Sequence, residues 1–426
     1  MTSRTIAQPA GLPTTRPTIR DAVAALGDGP LAEPALREHV DPLFSRVLAR
    51  DEIYLANHSL GRPLDRMADD VAEFTRLWYE DMDAAWDAWL GELTAFRAMV
   101  ARLIGCGRED AVVHKVSAGQ GLRAVINAMP TKGSTPSIVS TAAEFDAVDT
   151  ILRAYAQKGR ASVRWVEADD DAMIRAESVT EAITPETDLV VVSRVYFNTG
   201  QVLEGLDDIV EAAHRVGAAV LVDTYHSAGV IPGDFDRSRA DFAIGGNYKY
   251  TRGGPGASWL AIREDHLDDP AWQPIDTGWF AKDSHFDFAR GRLRLAPGGD
   301  GWNEGTPAPL IAYQARSGLE FTLAVGVDRL RSYSVSQLQG LAERLSAEGL
   351  SVRTHAPRGA FLCVDTDNHT GDHAAARARL KQLGVNSDSR TDARGRGIIR
   401  LCPDVLTTTD ELDRAAPLVR DAILGH

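Results

Sequence analysis

The sequence predicts an α/β fold in which a large domain, with a mostly parallel sheet of seven strands between helices, precedes a smaller α+β domain. Two observations carry this prediction. Short apolar runs rich in Val and Ile alternate with helical stretches between residues 111 and 262, and the pattern changes to short mixed elements in the last hundred residues. Nearly continuous apolar strands that alternate with helices are typical of a parallel sheet covered on both faces.

The seven predicted strands lie in seven short apolar runs. In chain order these runs read AVVHKV, SIVST, SVRWVEA, DLVVVSRV, AAVLVDTYH, FAIGGNY and SWLAI. Stretches with helical periodicity, such as GLRAVINAM and LDDIVEAAHRVG, lie between them. Ahead of the first strand, residues 71–104 carry apolar side chains three and four positions apart, which predicts long amphipathic helices.

The domain organisation follows from changes in this texture. Residues 1–29 are rich in Pro and small polar residues without periodicity, which predicts a flexible N-terminal arm. Residues 30–325 then form an N-terminal segment and the large domain. Residues 326–426 form the small C-terminal domain, with a helix over 373–384 and a closing helix from Thr409.

Composition excludes several classes of function. The formal net charge of -14 is spread along the chain, so its surface repels nucleic acid and anionic membranes and favours a small-molecule substrate. Three cysteines, Cys106, Cys363 and Cys402, are widely separated, which favours a reducing compartment and suggests no metal site. No segment has the length and apolarity of a membrane span or a signal peptide. A cytoplasmic location is therefore expected.

Two charged residues at predicted strand ends suggest a cofactor. The apolar strand AVLV ends at Asp223, and FAIGG leads twenty-six residues later to Lys249 in a glycine-rich turn. Pyridoxal 5'-phosphate needs such a pair, because an anion keeps the pyridine nitrogen protonated while a lysine amine holds the aldehyde as a Schiff base. Taken singly, the aspartate is equally consistent with a helix cap and the lysine with a solvated loop charge.

The surrounding residues resemble the cofactor-binding core of the kynureninases, a branch of the class V aminotransferase group. That core has an Asp-x-x-His-x-x-Gly strand end, followed by a Tyr-Lys-Tyr that carries the Schiff-base lysine. The matching residues are Asp223, His226, Gly229 and Tyr248-Lys249-Tyr250. The resemblance implies the pyridoxal-phosphate transferase fold of type I, with Asp223, His226 and Tyr248 beside the cofactor.

Further motifs extend the resemblance over most of the chain. Tyr54-Leu55 and Ser59-Leu60-Gly61 resemble the family's entrance segment, and His58 stands where the family has Asn. Ser117 and Ala118 precede a helix whose N-terminal amides would bind the cofactor phosphate. The resemblance places Phe145 on the pyridine ring and Arg400 on the substrate carboxylate. Arg suits the latter role because its planar donor pair matches a carboxylate.

Two more motifs imply a homodimer with shared active sites. Gly278-Trp279-Phe280 and Gly305-Thr306-Pro307 resemble stretches that in relatives reach the active site of the neighbouring subunit. In that arrangement Thr306 adds a phosphate hydrogen bond. Trp279 then contributes to the binding of both cofactor and substrate. His58 is expected to contribute to substrate binding. Without the resemblance, Trp279 and Thr306 would be a buried aromatic and a turn residue.

The implied reaction is hydrolytic cleavage of a carbon-carbon bond in kynurenine or a close aryl analogue, giving an anthranilate and alanine. Lys249 would move the Cα proton, Tyr248 would donate a proton to the departing carbon, and Asp223 would stay ionised because an opposite charge lowers its pKa.

Two segments of the sequence depart from the kynureninase pattern and keep other reactions open. They are FDAV at residues 145–148 and SRVYFN at residues 193–198. The alternatives are transamination, β-elimination or carbon-sulfur cleavage of another amino acid, with specialised metabolism as one setting for them. Desulfuration by a thiol ranks low, because Cys363 and Cys402 lie in or beside apolar strands.

Overall fold

A seven-stranded sheet forms the centre of the larger part of the molecule. The computed structural model describes residues 17–284, 290–354, 356–367 and 372–425. The strands are β1 (Ile53–Tyr54), β2 (Val112–Lys115), β3 (Ser137–Thr141), β4 (Ser162–Val166), β5 (Leu189–Ser193), β6 (Ala219–Asp223), β7 (Phe242–Gly246), β8 (Ser258–Ile262), β9 (Leu362–Asp365), β10 (Val385–Asn386), β11 (Asp388–Thr391) and β12 (Gly397–Leu401). The large sheet has the order β2-β8-β7-β6-β5-β3-β4. Its strand pairs are parallel except those that involve β8, so the predicted mostly parallel sheet is confirmed.

Fifteen α-helices occur in the described residues. They are α1 (Ile19–Ala25), α2 (Glu33–Ala35), α3 (Ser45–Leu48), α4 (Met67–Asp81), α5 (Ala85–Ile104), α6 (Ala118–Ala128), α7 (Asp146–Gln157), α8 (Ala176–Ala182), α9 (Leu206–Arg215), α10 (Phe235–Ser238), α11 (Glu264–Leu267), α12 (Leu310–Val325), α13 (Val327–Ala347), α14 (His373–Gln382) and α15 (Thr409–Leu424). None of the helices in these described segments combines the length and the apolar character that a membrane span needs.

The central strands are apolar along their whole length because both faces of the sheet are covered. In β5, Val191 packs into a core that contains α6 residues, whereas its neighbour Val190 packs on the opposite face against α8 and α9. Leu221 and Val220 of β6 divide in the same way. Alternate side chains therefore serve two cores, which is the physical reason for the apolar runs seen in the sequence.

The last hundred residues form a three-stranded antiparallel sheet of order β11-β12-β9, with α13, α14 and α15 contributing to its apolar core. One early segment joins this part: β1 pairs in parallel with β10, and Ile53 and Leu55 pack among Leu338 and Leu401. The division of the chain at residues 325 and 326 stays a proposal.

The N-terminal region differs from the expected flexible arm. Residues 1–16 lie outside the described part of the chain, but α1 follows directly. Thr18 caps this helix by accepting a hydrogen bond from the Asp21 amide, and Ile19 and Ala22 are buried against Leu36. The prediction of an arm up to residue 29 was therefore wrong for α1, because its short apolar face gave too little periodicity to recognise.

Gly61 provides a test of how tightly the entrance segment is packed. Its amide donates to the carbonyl of Tyr248, and a methyl group at this position would overlap the carbonyl oxygen of Lys249. We expect Gly61→Ala to lower the free energy of unfolding by about 2–3 kcal/mol, as overpacking does in tight interiors. Urea denaturation measures the change.

Gly91 is the matched control for this substitution. It lies exposed in α5, and nothing stands within 4 Å of an added methyl group. Gly91→Ala should leave stability unchanged or raise it by up to about 1 kcal/mol, because alanine is the better helix former. Equal effects of the two substitutions would contradict the close approach of Gly61 to Lys249.

Candidate active site

The carboxyl ends of β6 and β7 bring Asp223 and Lys249 to one edge of the sheet. β6 ends at Asp223, and Lys249 follows three residues after the end of β7. Both side chains line a cavity of about 500 Å³. Ligands of open α/β sheets bind at this edge, so the two residues lie where the sequence suggested a cofactor.

The amine of Lys249 is buried and contacts a histidine. Lys249 is only 5% exposed, and its Nζ lies 2.7 Å from Nε2 of His226. Burial lowers the pKa of Lys249 to about 7, although the negative charge of Asp223 acts in the opposite direction. A substantial fraction of this amine is therefore neutral near pH 7, which a nucleophile or a base requires.

His226 links Lys249 to a second tyrosine. Its other ring nitrogen, Nδ1, lies 3.2 Å from the hydroxyl of Tyr250. Burial lowers the pKa of His226 well below its usual value, and the charges of Lys249 and Arg400 lower it further. A neutral imidazole accepts at one nitrogen and donates at the other, so it can hold the amine and the phenol together.

Asp223 is buried at the end of β6. Its Oδ1 accepts a hydrogen bond of 2.8 Å from the Tyr225 amide. Burial raises the pKa of Asp223 to about 6, and the Tyr225 amide and Lys249 only partly offset this rise. We expected an opposite charge to lower this pKa; in the chain by itself, desolvation outweighs the charge of Lys249.

Three aromatic rings surround the amine of Lys249. The ring centroids of Phe145, Tyr225 and Tyr248 lie 5.5, 5.6 and 5.5 Å from Nζ. Phe197 meets Phe145 edge to face at 5.2 Å and also lines the cavity. The walls of the cavity are therefore suited to flat, unsaturated groups.

The beginning of α6 forms another wall. Ser117 and Ala118 both line the cavity, and Ser117 caps the helix by accepting a hydrogen bond from the Gln120 amide at 3.2 Å. An α-helix of eleven residues presents amide N–H groups and the positive end of its dipole there. This wall can therefore bind an anionic group such as a phosphate.

Tyr248 is a potential proton donor in the same cavity. Burial raises the pKa of its phenol to about 12, and the charge of Asp223 acts in the same direction. The hydroxyl consequently keeps its proton at neutral pH. It stands beside Lys249 in the chain and shares the cavity with it.

Four predicted residues do not line the cavity. His58 is fully buried and stacks on Phe361 with ring centroids 5.0 Å apart. Arg400 is also buried, where it donates to the Phe197 carbonyl and pairs with Asp388. The remaining two, Trp279 and Thr306, hydrogen-bond to each other through Nε1 and Oγ1 at 3.2 Å.

Sequence reasoning missed a residue of the cavity lining and a residue directly behind it. Tyr225 was overlooked although it lies two residues after Asp223; its hydroxyl donates to Ser258 at 2.7 Å. Glu144 was also overlooked; it does not line the cavity itself but contacts Ser193, which does. Its buried carboxyl accepts from Ser193 Oγ at 2.6 Å, and burial raises its pKa to about 8. Only the positions next to Asp223 and Phe145 could have drawn attention to these two residues.

Comparison with known proteins establishes the relationship of the chain. The family model described as aminotransferase class-V matches residues 84–385, which is more than half of the chain. The chain belongs to the aminotransferase class V family. The sequence resemblance to this group is thereby confirmed, and pyridoxal 5'-phosphate is the cofactor of this class V chain.

Individual class V relatives are more distant. The chain is 29% identical over 363 residues to a kynureninase of Deinococcus radiodurans, covering 81% of this chain and 84% of the relative. It is 25% identical over 361 residues to the uncharacterized aminotransferase YcbU of Bacillus subtilis, covering 84% and 90%. A solved complex of the cystine C-S lyase C-DES with cysteine persulfide matches with a TM-score of 0.78 at 21% identity, covering 88% of this chain and 99% of that one. At this identity the structural likeness confirms the fold of type I alone.

The buried amine predicts a pH-dependent stability in the cofactor-free protein. The pKa of Lys249 is about 7 in the folded chain, against an ordinary value of 10.5, so unfolding takes up a proton between these values. Relative to Lys249→Met, the free energy of unfolding of the wild type should therefore rise with pH in this window, by at most about 1.4 kcal/mol per pH unit. Urea denaturation at pH 7 and pH 9.5 measures it.

Lys158 is the control for this measurement, since it is an exposed lysine at the end of α7. Lys158→Met should follow the wild type at both pH values. A difference between wild type and Lys249→Met that stays constant from pH 7 to pH 9.5 would show that Lys249 titrates in the ordinary range.

Proposed function

We propose that the chain catalyses hydrolytic carbon-carbon cleavage of kynurenine or a close aryl analogue, giving an anthranilate and alanine. The observation that carries the proposal is one cavity of about 500 Å³ in which a buried lysine amine, a protonated phenol and aromatic walls lie together. The similarity to a kynureninase over 81% of the chain supports the same reaction.

The residues of the cavity fit pyridoxal 5'-phosphate. Lys249 would hold its aldehyde, Asp223 and His226 would lie beside its ring, Phe145 would stack on it, and the α6 amides after Ser117 would bind its phosphate. The buried Asp223 supports this, because a carboxyl with a raised pKa gains from a cationic partner. When bound, this cofactor stores the electron pair released as a bond at the substrate Cα breaks.

Two side chains then move the protons of the reaction. Lys249 is suited to remove the Cα proton, because a substantial fraction of its amine is neutral near pH 7 and His226 fixes its position at 2.7 Å. Tyr248 is suited to donate a proton to the departing carbon, because its phenol stays protonated up to a pKa of about 12. Each proton-transfer group of this kind contributes about 10²–10⁴-fold to a rate.

Arg400 and His58 are proposed to recognise the substrate from behind the cavity wall. Arg400 donates to the carbonyl of Phe197, which itself lines the cavity. We also propose a homodimer in which Trp279 and Thr306 serve the neighbouring subunit. Their absence from the lining of this chain's cavity is consistent with that role. The three free thiols support the proposed cytoplasmic location.

The alternative is an aminotransferase or a β- or C–S lyase that acts on another amino acid. It is supported by the likeness to an aminotransferase of Bacillus subtilis and to the fold of the cystine C-S lyase. A desulfurase with a thiol nucleophile is disfavoured, because the cavity lining contains none of the three cysteines. Burial also raises the pKa of Cys106 and Cys363 to about 11, which keeps these thiols protonated.

A direct assay separates the two functions. The cofactor-loaded protein is mixed with kynurenine, 3-hydroxykynurenine or cystine, and products are identified by chromatography. Anthranilates with equimolar alanine are expected from the first two. Pyruvate or persulfide from cystine, without anthranilates, would favour the lyase. Lys249→Ala is the inactive control and should also lose the visible absorption band of the bound cofactor.

Replacement of Tyr248 tests its role as proton donor. Tyr248→Phe removes the hydroxyl but keeps the ring beside Lys249, so kcat for cleavage should fall about 10²-fold or more while the cofactor absorption band stays. Tyr155→Phe is the control, since its hydroxyl contacts Asn127 of α6 at 3.1 Å and Tyr155 lies outside the cavity lining. Comparable kcat values for the two variants would exclude the phenol of Tyr248 as the donor.

A further inference from the structure

A buried carboxylate joins two arginines behind the wall of the cavity. Asp388 begins β11, where it is paired in register with Arg400 of β12. Its Oδ2 accepts hydrogen bonds from Arg400 and, at 2.7 Å, from the hydroxyl of Ser59. Its Oδ1 accepts from Arg390 at 2.9 Å. We call Asp388, Arg390 and Arg400 the acid-binding cluster.

The acid-binding cluster carries one net positive charge. Asp388 remains ionised at neutral pH, because Arg400 and Arg390, together with the Ser59 hydroxyl, lower its pKa against the effect of burial. Guanidinium groups are always protonated in proteins. Two cations and one anion therefore leave the cluster able to neutralise a single further carboxylate.

One buried side chain of the cluster and one beside it hold polar atoms without partners among the described residues. Arg400 is 3% exposed, and its Nε has no hydrogen-bond partner. His58 is 0% exposed, and both of its ring nitrogens are unpaired. Its Nε2 lies 3.8 Å from Asp388 Oδ2, which is too far for a hydrogen bond. Unpaired buried donors destabilise a protein, so they indicate a place where a ligand supplies the acceptor.

The cluster is in contact with the cavity that holds Lys249. Ser59 and Phe197 line the cavity. The Ser59 hydroxyl donates to Asp388, and the Phe197 carbonyl accepts from Arg400. The charges of all three cluster residues also act on the amine of Lys249. A carboxylate at Arg400 would consequently lie close to the amine that the proposed function uses.

We propose that Asp388 is the positioning residue that limits the site to one substrate carboxylate. Asp388 fixes Arg400 through one guanidinium nitrogen and leaves Nε free to donate to the substrate carboxylate. The negative charge of Asp388 also cancels the positive charge of one of the two arginines. A dicarboxylate would therefore bring one uncompensated negative charge against Asp388. This inference rests on the proposed amino-acid substrate, and it adds the rule by which acids are selected.

Two inert acids test the proposal in the cofactor-loaded protein. Propionate carries one carboxylate and succinate carries two, and both lack the amine needed to react. Their dissociation constants are measured by calorimetric titration at low salt. In Asp388→Asn the net charge of the cluster becomes +2, so the ratio of the succinate constant to the propionate constant should fall about tenfold relative to the wild type.

A second variant should change the ratio of the succinate constant to the propionate constant in the opposite direction. Arg390 has a half-exposed side chain, so Arg390→Gln is expected to fold, and it leaves the cluster with no net charge. Its affinity for propionate should fall about tenfold, and its succinate-to-propionate ratio should rise. Asp392→Asn is the matched control: Asp392 is a buried carboxylate that pairs with Arg353 and Arg396 in the same domain, and its loss should leave the ratio unchanged.

The outcomes separate this inference from the proposed function. Ratios that agree within twofold in wild type, Asp388→Asn and Arg390→Gln would overturn the selection rule, as would a wild type that binds neither acid. A purely structural role of Asp388 would weaken both acids equally. Failure to cleave kynurenine together with the expected shifts in the ratio would reject kynurenine as substrate and keep the rule.

Discussion

The burial of one lysine amine is the constraint on which the rest of this structure depends. An ammonium ion would be costly in such a place, so the chain surrounds Nζ of Lys249 with groups that tolerate a neutral amine: the imidazole of His226 at 2.7 Å and three aromatic rings near 5.5 Å. The same desolvation raises the pKa of Asp223 to about 6. The pKa values of Lys249 and Asp223 are shifted for the same reason, because both side chains are buried at one edge of the sheet.

The fold could be predicted well because the residues of a buried strand indicate whether one or both of its faces are covered. The runs that became β5 and β6 are apolar without alternation up to their last residue, and such runs arise when helices cover both faces. Asp223 and Lys249 could be recognised because the carboxyl ends of strands are local features of the sequence. The helix α1 was missed, since seven residues with a cap at Thr18 carry too little pattern.

The rest of the site could not be predicted, because it depends on contacts between segments far apart in the chain. Nothing near Arg400 in the sequence indicates that its guanidinium meets both the Phe197 carbonyl and Asp388. The histidine at position 58 could be noticed as a departure from a motif, but its stacking on Phe361 arises only when the entrance segment lies on the C-terminal sheet. Charge balance around a buried group is a property of the assembled molecule, and sequence spacing does not encode it.

The pairing of β1 with β10 has a consequence for how the molecule is made. Ile53 lies opposite Val385. During synthesis β1 therefore cannot pair with β10 until more than 330 further residues have left the ribosome. Such long-range pairing is slow to form and leaves the early segment without its partner meanwhile. The cavity wall at Ser59 and the tight contact of Gly61 with Lys249 belong to that same segment. A nascent chain can thus complete its central sheet first, and it gains a closed active site only when its C-terminal residues fold.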